Sequence, residues 1–235
     1  MKLSVIISAL NEAESIQRAI ETSLALSPRE VIVADGGSSD DTVAIAQKLD
    51  CRAIECPRGR ALQQNAGASA STGDVLLFLH ADSWLVPEGR PQIERTLKSP
   101  SIPGGAFQHR IDTDGLLYRL VEAGDSLRVC CTRIAYGDQG IFLRRDVFEQ
   151  LGQFPNVRLM EDVRLMKSLR DFGRLALLPG PLYVSARRWK KHGAIRQTLR
   201  NWCLLTAEQL GVHPDRLADL YAPHSNSVKL SSKQD

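Results

Sequence analysis

Five short stretches of this 235-residue chain place charged or amide side chains where a ligand can reach them. The run "VLLFLHAD" (Val75 to Asp82) is apolar for five residues and then stops at His80 and Asp82. A branched and aromatic run of that kind reads as a strand buried on both faces, so the polar pair sits where the chain leaves the sheet. In open parallel sheets that end is the ligand-binding rim. A plain turn begun by Asp82 ahead of Pro87 is the competing reading. "SALNE" (Ser8 to Glu12) lacks both Gly-x-Gly-x-x-Gly and Gly-Lys-Ser/Thr, and Asn11 and Glu12 supply an amide and an acceptor instead. "VADGGSSDDT" ends a third apolar run in Asp35, whose acceptor-only carboxylate suits a base N–H or a ribose hydroxyl. Gly36 and Gly37 then let backbone approach a flat ligand.

The remaining two stretches carry the stronger charges. In "PRGRALQQNAG", Arg58 and Arg60 flank a glycine just before a helix, and guanidinium groups beside helix N–H groups make a diphosphate seat. A single carboxylate such as Asp82 near that seat can hold a divalent ion that takes most of its coordination from ligand and water. In "LMEDVRL", Glu161 and Asp162 open a helix; they suit acid–base work, and equally suit the positive end of the helix dipole.

The elements that must position these groups alternate in type. Strands are expected at 3–9, 30–35, 51–56 and 74–82, with helices near 13–26, 42–49 and 61–70, the second behind a Ser38 to Asp41 cluster that supplies N-cap side chains. This alternation predicts an α/β fold with a mostly parallel, Rossmann-like sheet flanked by helices and right-handed crossovers, which brings the strand ends to one rim. After Pro87 the pattern becomes mixed. Helices are expected at 92–98, 116–127 and from Met160 to Gly173, a strand at "GGAFQHRI", and strand pieces broken by Pro and Gly in "RLALLPGPLYVSA". Ile195, Leu199, Trp202, Thr206 and Leu210 recur at helical spacing and predict one amphipathic helix over 192–211. Residues 1–222 read as one domain in two halves, 1–85 and 86–190, and residues 223–235 as a disordered tail.

Bulk properties narrow the function classes. A hydrophobic fraction of 43%, a charged fraction of 24% and a net charge of +3 describe an ordinary globular protein and argue against general nucleic-acid binding. The five cysteines lack Cys-x-x-Cys spacing, which points to reduced thiols in a cytoplasmic protein. The apolar start is followed at once by Asn11 and Glu12 and reads as a strand, and no stretch is long enough to span a bilayer. The segment "RRWKKHGAIRQTLR" has six basic residues and no acid. It suits either peripheral contact with the inner face of a membrane or packing on the core or on a second subunit as a homodimer.

Taken in order, "SVIISALNE", "VADGGSSDDT", "LHAD", "LMEDVRL" and "SARRW" resemble family 2 glycosyltransferases of the GT-A fold over about Lys2 to Trp189. "YGDQGIFLRR" with "SARRW" is similar to a bacterial subgroup labelled as arsenosugar-biosynthesis glycosyltransferases. The resemblance implies an inverting hexosyl transfer from a nucleoside diphosphate sugar, expected to be UDP-linked, to a small-molecule or lipid-linked acceptor. It makes 1–85 the nucleotide-binding half and 86–190 the acceptor-binding half, and assigns Asp35 to the base, Glu12 to the nucleoside, and Asp82 to a Mn2+ or Mg2+ ion. His80 stands in place of the first Asp of the family's Asp-x-Asp motif. Asp162 is the implied base with Glu161 beside it. Arg188 and Trp189 match an Arg-Trp pair whose usual upstream Gln is Ser185 here, and the incomplete motif favours a single transfer over processive synthesis. Ala9, Asn11, Gly37, Arg58, Arg60, Asn65 and Ala81 complete the implied donor site, and Tyr136, Asp138 and Gln139 the acceptor site. Two other readings use the same features. A sugar-phosphate nucleotidylyltransferase would need a Gly-rich, Arg-Lys loop where "SALNEAES" stands, and an inactive nucleotide-sugar-binding protein would not need both Asp82 and Asp162.

Overall fold

The computed structural model describes residues 1–220. Its centre is an eight-stranded sheet. Strands β1 (Leu3–Ala9), β2 (Glu30–Asp35), β3 (Arg52–Glu55) and β4 (Val75–His80) run parallel in the order β3-β2-β1-β4. Their crossovers are α1 (Ile16–Ala25), α2 (Thr42–Ala46) and α3 (Arg60–Ala70). The expected α/β architecture is therefore present. Ser8 pairs with His80 and Ala9 with Asp35, so the chemistry-bearing ends of β1, β2 and β4 reach one level.

The apolar runs are continuous because both sheet faces are covered. Leu3, Val5, Ile7, Leu77 and Leu79 pack with Ile16 and Ile20 of α1 on one side. Ile6, Leu76 and Phe78 join Phe148 and Phe154 on the other, where Phe78 meets Phe154 edge-on with ring centroids 4.9 Å apart.

Beyond β4 the structure departs from the expected boundaries. The strand ends at His80, and after Ala81 and Asp82 a short strand not foreseen from sequence, β5 (Ser83–Leu85), begins. The sheet continues from β4 through β7 (Ile141–Arg144), β6 (Gly104–Ile111) and β8 (Ala176–Val184) to β5 at its far edge. β5 follows β4 by two residues yet lies four places away in the sheet, so the sheet must curl until its far edge returns to the β4 end. Asp82 therefore sits in a two-residue turn held between two strands, its carbonyl accepting the Ser185 N–H at 2.9 Å. The Pro- and Gly-broken pieces expected before Ser185 form one strand, β8, with a register shift against β6 between Phe107 and His109.

Helices α4 (Gly89–Thr96), α5 (Leu116–Thr132), α6 (Arg145–Gln150) and α7 (Glu161–Phe172) complete this half. The single amphipathic helix expected over 192–211 is instead α8 (Arg187–His192), a break at Gly193, and α9 (Ala194–Gln209), followed by α10 (Pro214–Leu220). Its packed face also differs: Leu204 and Leu205 are buried, while Trp202, Thr206 and Leu210 are exposed. Spacing alone favoured the wrong stripe because two apolar stripes share this helix. The side chains of Ile195 and Leu199, and the tail at 223–235, lie outside the described residues.

Helix α3 lies close on β1, because a methyl group at Gly67 would run into Ile6 Cγ2. Gly67→Ala should thus destabilise by about 1–3 kcal/mol, overpacking outweighing the gain in helix propensity of roughly 0.5–1 kcal/mol. Urea unfolding checks this; a stabilised variant would mean that α3 can move away from β1 at little cost.

Candidate active site

A cleft of about 470 Å3 opens at the C-terminal rim of β1 and β4. Ala9, Glu12, His80, Ala81 and Asp82 line it together with Arg58, Arg60 and Arg158. A side pocket of about 80 Å3 shares Arg60, His80 and Leu159 with the cleft and adds Tyr136, Asp138 and Asp162. A larger concavity, about 710 Å3, lies at the opposite end of β4 beside Asp74 and Arg145. Arg145 is held there by the Ala68 carbonyl at 3.1 Å, so that space is shaped by a structural arginine and lies away from the acid pair.

Glu161 and Asp162 start α7 after Met160, which takes a left-handed conformation (φ 64°). Both acids are buried, at 2% and 8% exposure. Asp162 Oδ2 accepts the Gly137 N–H at 2.5 Å, and Oδ1 accepts the Val163 N–H at 2.7 Å. Gly137 must lack a side chain here: a Cβ would lie 2.9 Å from His80 Nε2 and 3.2 Å from Asp162 Oδ2. The end of β4 and the start of α7 therefore meet across this glycine. Burial, then the neighbouring Asp162 charge, raises the Glu161 carboxyl to about 7, while Arg60, 3.8 Å away, opposes the rise. Burial also raises Asp162, against the Gly137 hydrogen bond.

The other expected site residues divide into two groups. Asp138 and Tyr136 line the side pocket as expected. The Tyr136 ring lies 3.7 Å from the Arg128 guanidinium carbon, and burial raises its phenol so that it stays a neutral hydroxyl. Gln139, by contrast, is fully buried and spent on the backbone, accepting the Tyr136 N–H at 2.9 Å and donating to the Phe107 carbonyl. Asn65 forms a reciprocal pair with the Phe154 backbone at 2.9 and 3.0 Å and is a tie between segments. Trp189 packs with Ile111, Val184 and Ala186 as core. These three do not line the cleft, because large or amide side chains in the interior were needed to join elements distant in sequence.

On the β2 side, Asp35 turns both oxygens into its own loop. Oδ2 accepts the N–H groups of Gly37 (2.9 Å) and Ser38 (2.8 Å), and Oδ1 accepts the Ser38 hydroxyl. The turn it builds places Gly37 at φ 87°. Asn11 Oδ1 accepts the Ser39 N–H at 2.8 Å and joins the two loops. Glu12 pairs with Arg187 at 2.8 and 2.9 Å. Sequence reading singled out Arg188, whose side chain lies outside the described residues. Also unforeseen were Gln63, which donates to the carbonyls of Ala9 (2.7 Å) and Ala34 (3.1 Å) beneath the cleft, and Arg158 on its wall. The available signals were the glutamine pair after "PRGR" and the basic residue three positions before the acid pair.

A divalent ion finds limited protein ligands. Among the described residues no group of three or more His, Cys, Asp or Glu side chains can hold one. Asp82 and His80 on the cleft wall fit an ion that draws its remaining ligands from phosphate oxygens and water, and do not form a closed cage.

Comparison with known proteins agrees with this architecture. The family model described as glycosyl transferase family 2 matches residues 4–159. Among curated proteins, the chain is 28% identical over 191 residues to glycosyltransferase AglE of Haloferax volcanii (73% of this chain, 62% of that protein). It is 32% identical over 121 residues to the uncharacterized glycosyltransferase alr2836 of Nostoc sp. (48% and 37%). The chain thus spans less than two thirds of each relative. Among solved structures, S. aureus TarS 1-349 in complex with UDP-GlcNAc superposes with a TM-score of 0.60 at 16% identity, covering 79% of this chain and 58% of that one. Glucosyl-3-phosphoglycerate synthase from Mycobacterium tuberculosis, with Mn2+, UDP and glucosyl-3-phosphoglycerate, gives 0.57 at 20% identity (78% and 70%). These likenesses establish the GT-A type fold.

The acid pair sets a pH dependence. A carboxyl whose folded value is raised contributes stability that is fully present below its unfolded value and lost as pH rises through the folded one. For Glu161 that window runs from 4.5 to about 7. The wild-type chain should lose on the order of 1–3 kcal/mol across it, and Glu161→Gln, which cannot ionise, should lose less. Parallel urea titrations at several pH values check this; equal pH slopes would overturn it.

Proposed function

Because the chain belongs to glycosyl transferase family 2, we propose that it transfers a sugar from a nucleoside diphosphate to an acceptor hydroxyl with inversion, in a single transfer. The observation that carries this reading is the buried Asp162, with Glu161 next to it, lining a side pocket that shares walls with an arginine-lined cleft. The cleft holds the donor, with Arg58, Arg60 and Arg158 taking the diphosphate. UDP is the nucleotide of choice, supported by the ligands named for the TarS and glucosyl-3-phosphoglycerate synthase structures. Mn2+ or Mg2+, held by Asp82 with His80 beside it, would neutralise charge on the diphosphate; that ion accompanies UDP in the mycobacterial synthase structures.

The acceptor hydroxyl lies in the side pocket, where Asp162 takes its proton as the oxygen bonds to the anomeric carbon. The bond from that carbon to the diphosphate oxygen breaks, and the diphosphate leaves with the electron pair toward the arginines. A base with a raised pKa suits this task, since a carboxylate held above its ordinary range is a better proton acceptor near neutral pH. The Gly137 N–H fixes its orientation. Glu161 does not hold a second full charge at no cost beside Asp162, and its pairing distance to Arg60 ties the acid pair to the diphosphate wall. Tyr136 and Asp138 supply hydrogen-bonding groups for the acceptor. The likeness to arsenosugar-biosynthesis enzymes offers a first acceptor class to assay, with lipid-linked and other small acceptors beside it.

The two aspartates should separate by role. Asp162→Asn should lower kcat by roughly 100-fold or more with UDP affinity nearly intact. Asp82→Asn should instead weaken the Mn2+-dependent part of UDP binding, with the rate falling in parallel. Calorimetry with UDP, in Mn2+ and in chelator, and transfer assays on both variants test this. Near-normal transfer by Asp162→Asn would remove it as the base.

A further inference from the structure

Helix α5 presents an apolar stripe to solvent. Leu116, Leu120 and Leu127 are 75%, 61% and 66% exposed, far beyond the scattered apolar contacts usual on a surface. With Gly124 they recur at spacings of four, four and three residues, which is one face of a helix. Gly124 at the centre of the stripe is filled from outside: Trp202 of α9 approaches it, with Cζ2 3.9 Å from where a Cβ would stand. Trp202 is itself 46% exposed, so leucines from one helix and an indole from another form one continuous patch. Cys203 and Arg196, seven residues apart on α9 and hence nearly in line, are also exposed.

Charge on the α8–α9 side of the patch is one-sided. From Arg187 to Ala207 there are six Arg and Lys residues and no acid. Lys190, Lys191 and Arg196 are exposed, and Arg133 is exposed at the C-terminal cap of α5. The acids of α5 are each paired within the helix, Glu122 with Arg119 at 2.8 Å and Asp125 with Arg128 at 3.5 Å, and before its N-terminus Asp112 pairs with Arg18 at 3.1 Å while Asp114 stands exposed. An apolar strip bordered by cations and carrying an indole matches an anionic lipid interface, with leucines entering the acyl boundary and cations meeting headgroup phosphates. A second copy of the chain is a poorer occupant, since two-fold pairing would set this cationic border against itself.

We propose that the α5–α9 face, with Leu116, Leu120, Leu127 and Trp202 at its centre, docks the protein on an anionic membrane surface. The same helix α9 contributes Asn201 and Leu204 to the side pocket, so docking would bring that pocket near the lipid headgroups. The docking itself does not depend on the proposed reaction.

Co-sedimentation of the full chain with phosphatidylglycerol–phosphatidylcholine vesicles tests it, with Trp202 fluorescence as a second readout because Trp84 and Trp189 are buried. Binding is expected to mixed vesicles at low salt, to be absent from pure phosphatidylcholine, and to come with a blue shift. Replacing Lys190, Lys191 and Arg196 by Gln together should weaken it on the order of 100-fold. Leu116→Ser, Leu120→Ser and Leu127→Ser together should weaken it roughly ten-fold or more, with unchanged circular dichroism, since these side chains are exposed. No binding at low salt, or binding indifferent to the leucines, would overturn the proposal. Self-association that the leucine variant abolishes, without vesicle binding, would assign the face to a second copy instead.

Discussion

The hydrogen bond from the Gly137 N–H to the Asp162 carboxylate is the contact on which the site depends. Gly137 belongs to a single 3-10 turn (Gly137–Gln139) that leads into β7, and β7 lies antiparallel to β4. Asp162 belongs to α7, whose buried residues Val163, Leu165 and Met166 pack in the core on that side of the sheet. The bond thus joins the curled part of the sheet to the helix that carries the acid pair, beside the end of the strand that carries His80. Because a side chain at Gly137 would collide with His80, the same close approach that orients Asp162 also fixes the distance between strand end and helix start.

Two buried acids at one helix start carry a desolvation cost, and the structure offsets it with several weak terms. The Gly137 and Val163 N–H groups hydrogen-bond Asp162, the positive end of α7 favours negative charge, and Arg60 stands at ion-pair distance from Glu161. Both carboxyls remain raised, so these terms fall short of full compensation. The incomplete offset is what a proton acceptor working near neutral pH requires, and a purely structural pair would gain by being better satisfied. Arg60 lines both the cleft and the side pocket. Anion binding in the cleft would draw on the same guanidinium that stabilises Glu161, so the protonation of the acid pair and the occupancy of the cleft are linked through one side chain.

Legibility in the sequence followed the range of the interactions. Strands β1, β2 and β4 were visible because burial on both faces forces continuous apolar runs, whereas β3, at the sheet edge and partly exposed, was legible from its place in the alternation. Asp82, His80, Arg58 and Arg60 reached the cleft as their positions implied, since each follows or precedes an element whose ends the parallel topology places on one rim. Strand β5 was invisible because three residues carry no periodicity, and its pairing with β8 joins Ser83 to Val184 across a hundred residues. Gln139, Asn65 and Trp189 lie off the cleft for a related reason. Residue type suggests what a side chain can bond, but Phe107, Phe154 and Ile111 became their partners only through long-range packing.

The same distinction explains the carboxylates of the first half. Asp35 and Glu12 were legible as acids at strand ends, yet in the structure each has a protein partner: Asp35 its own turn, Glu12 the guanidinium of Arg187. A strand-end carboxylate can meet its hydrogen-bonding requirement locally or through a ligand, and the sequence does not distinguish the two. For Glu12 the partner is partly exposed, which makes the pair weak in water. A nucleoside entering beside Ala9 can therefore compete for that carboxylate at modest cost. Asp35 is different, because its three bonds build the Gly37 turn, which leaves Oδ1, with the Ser38 hydroxyl as partner, the oxygen with room for a further donor. A donor that adds to Oδ1 would leave the turn intact, so one carboxylate can shape the loop and still accept a hydrogen bond from outside it.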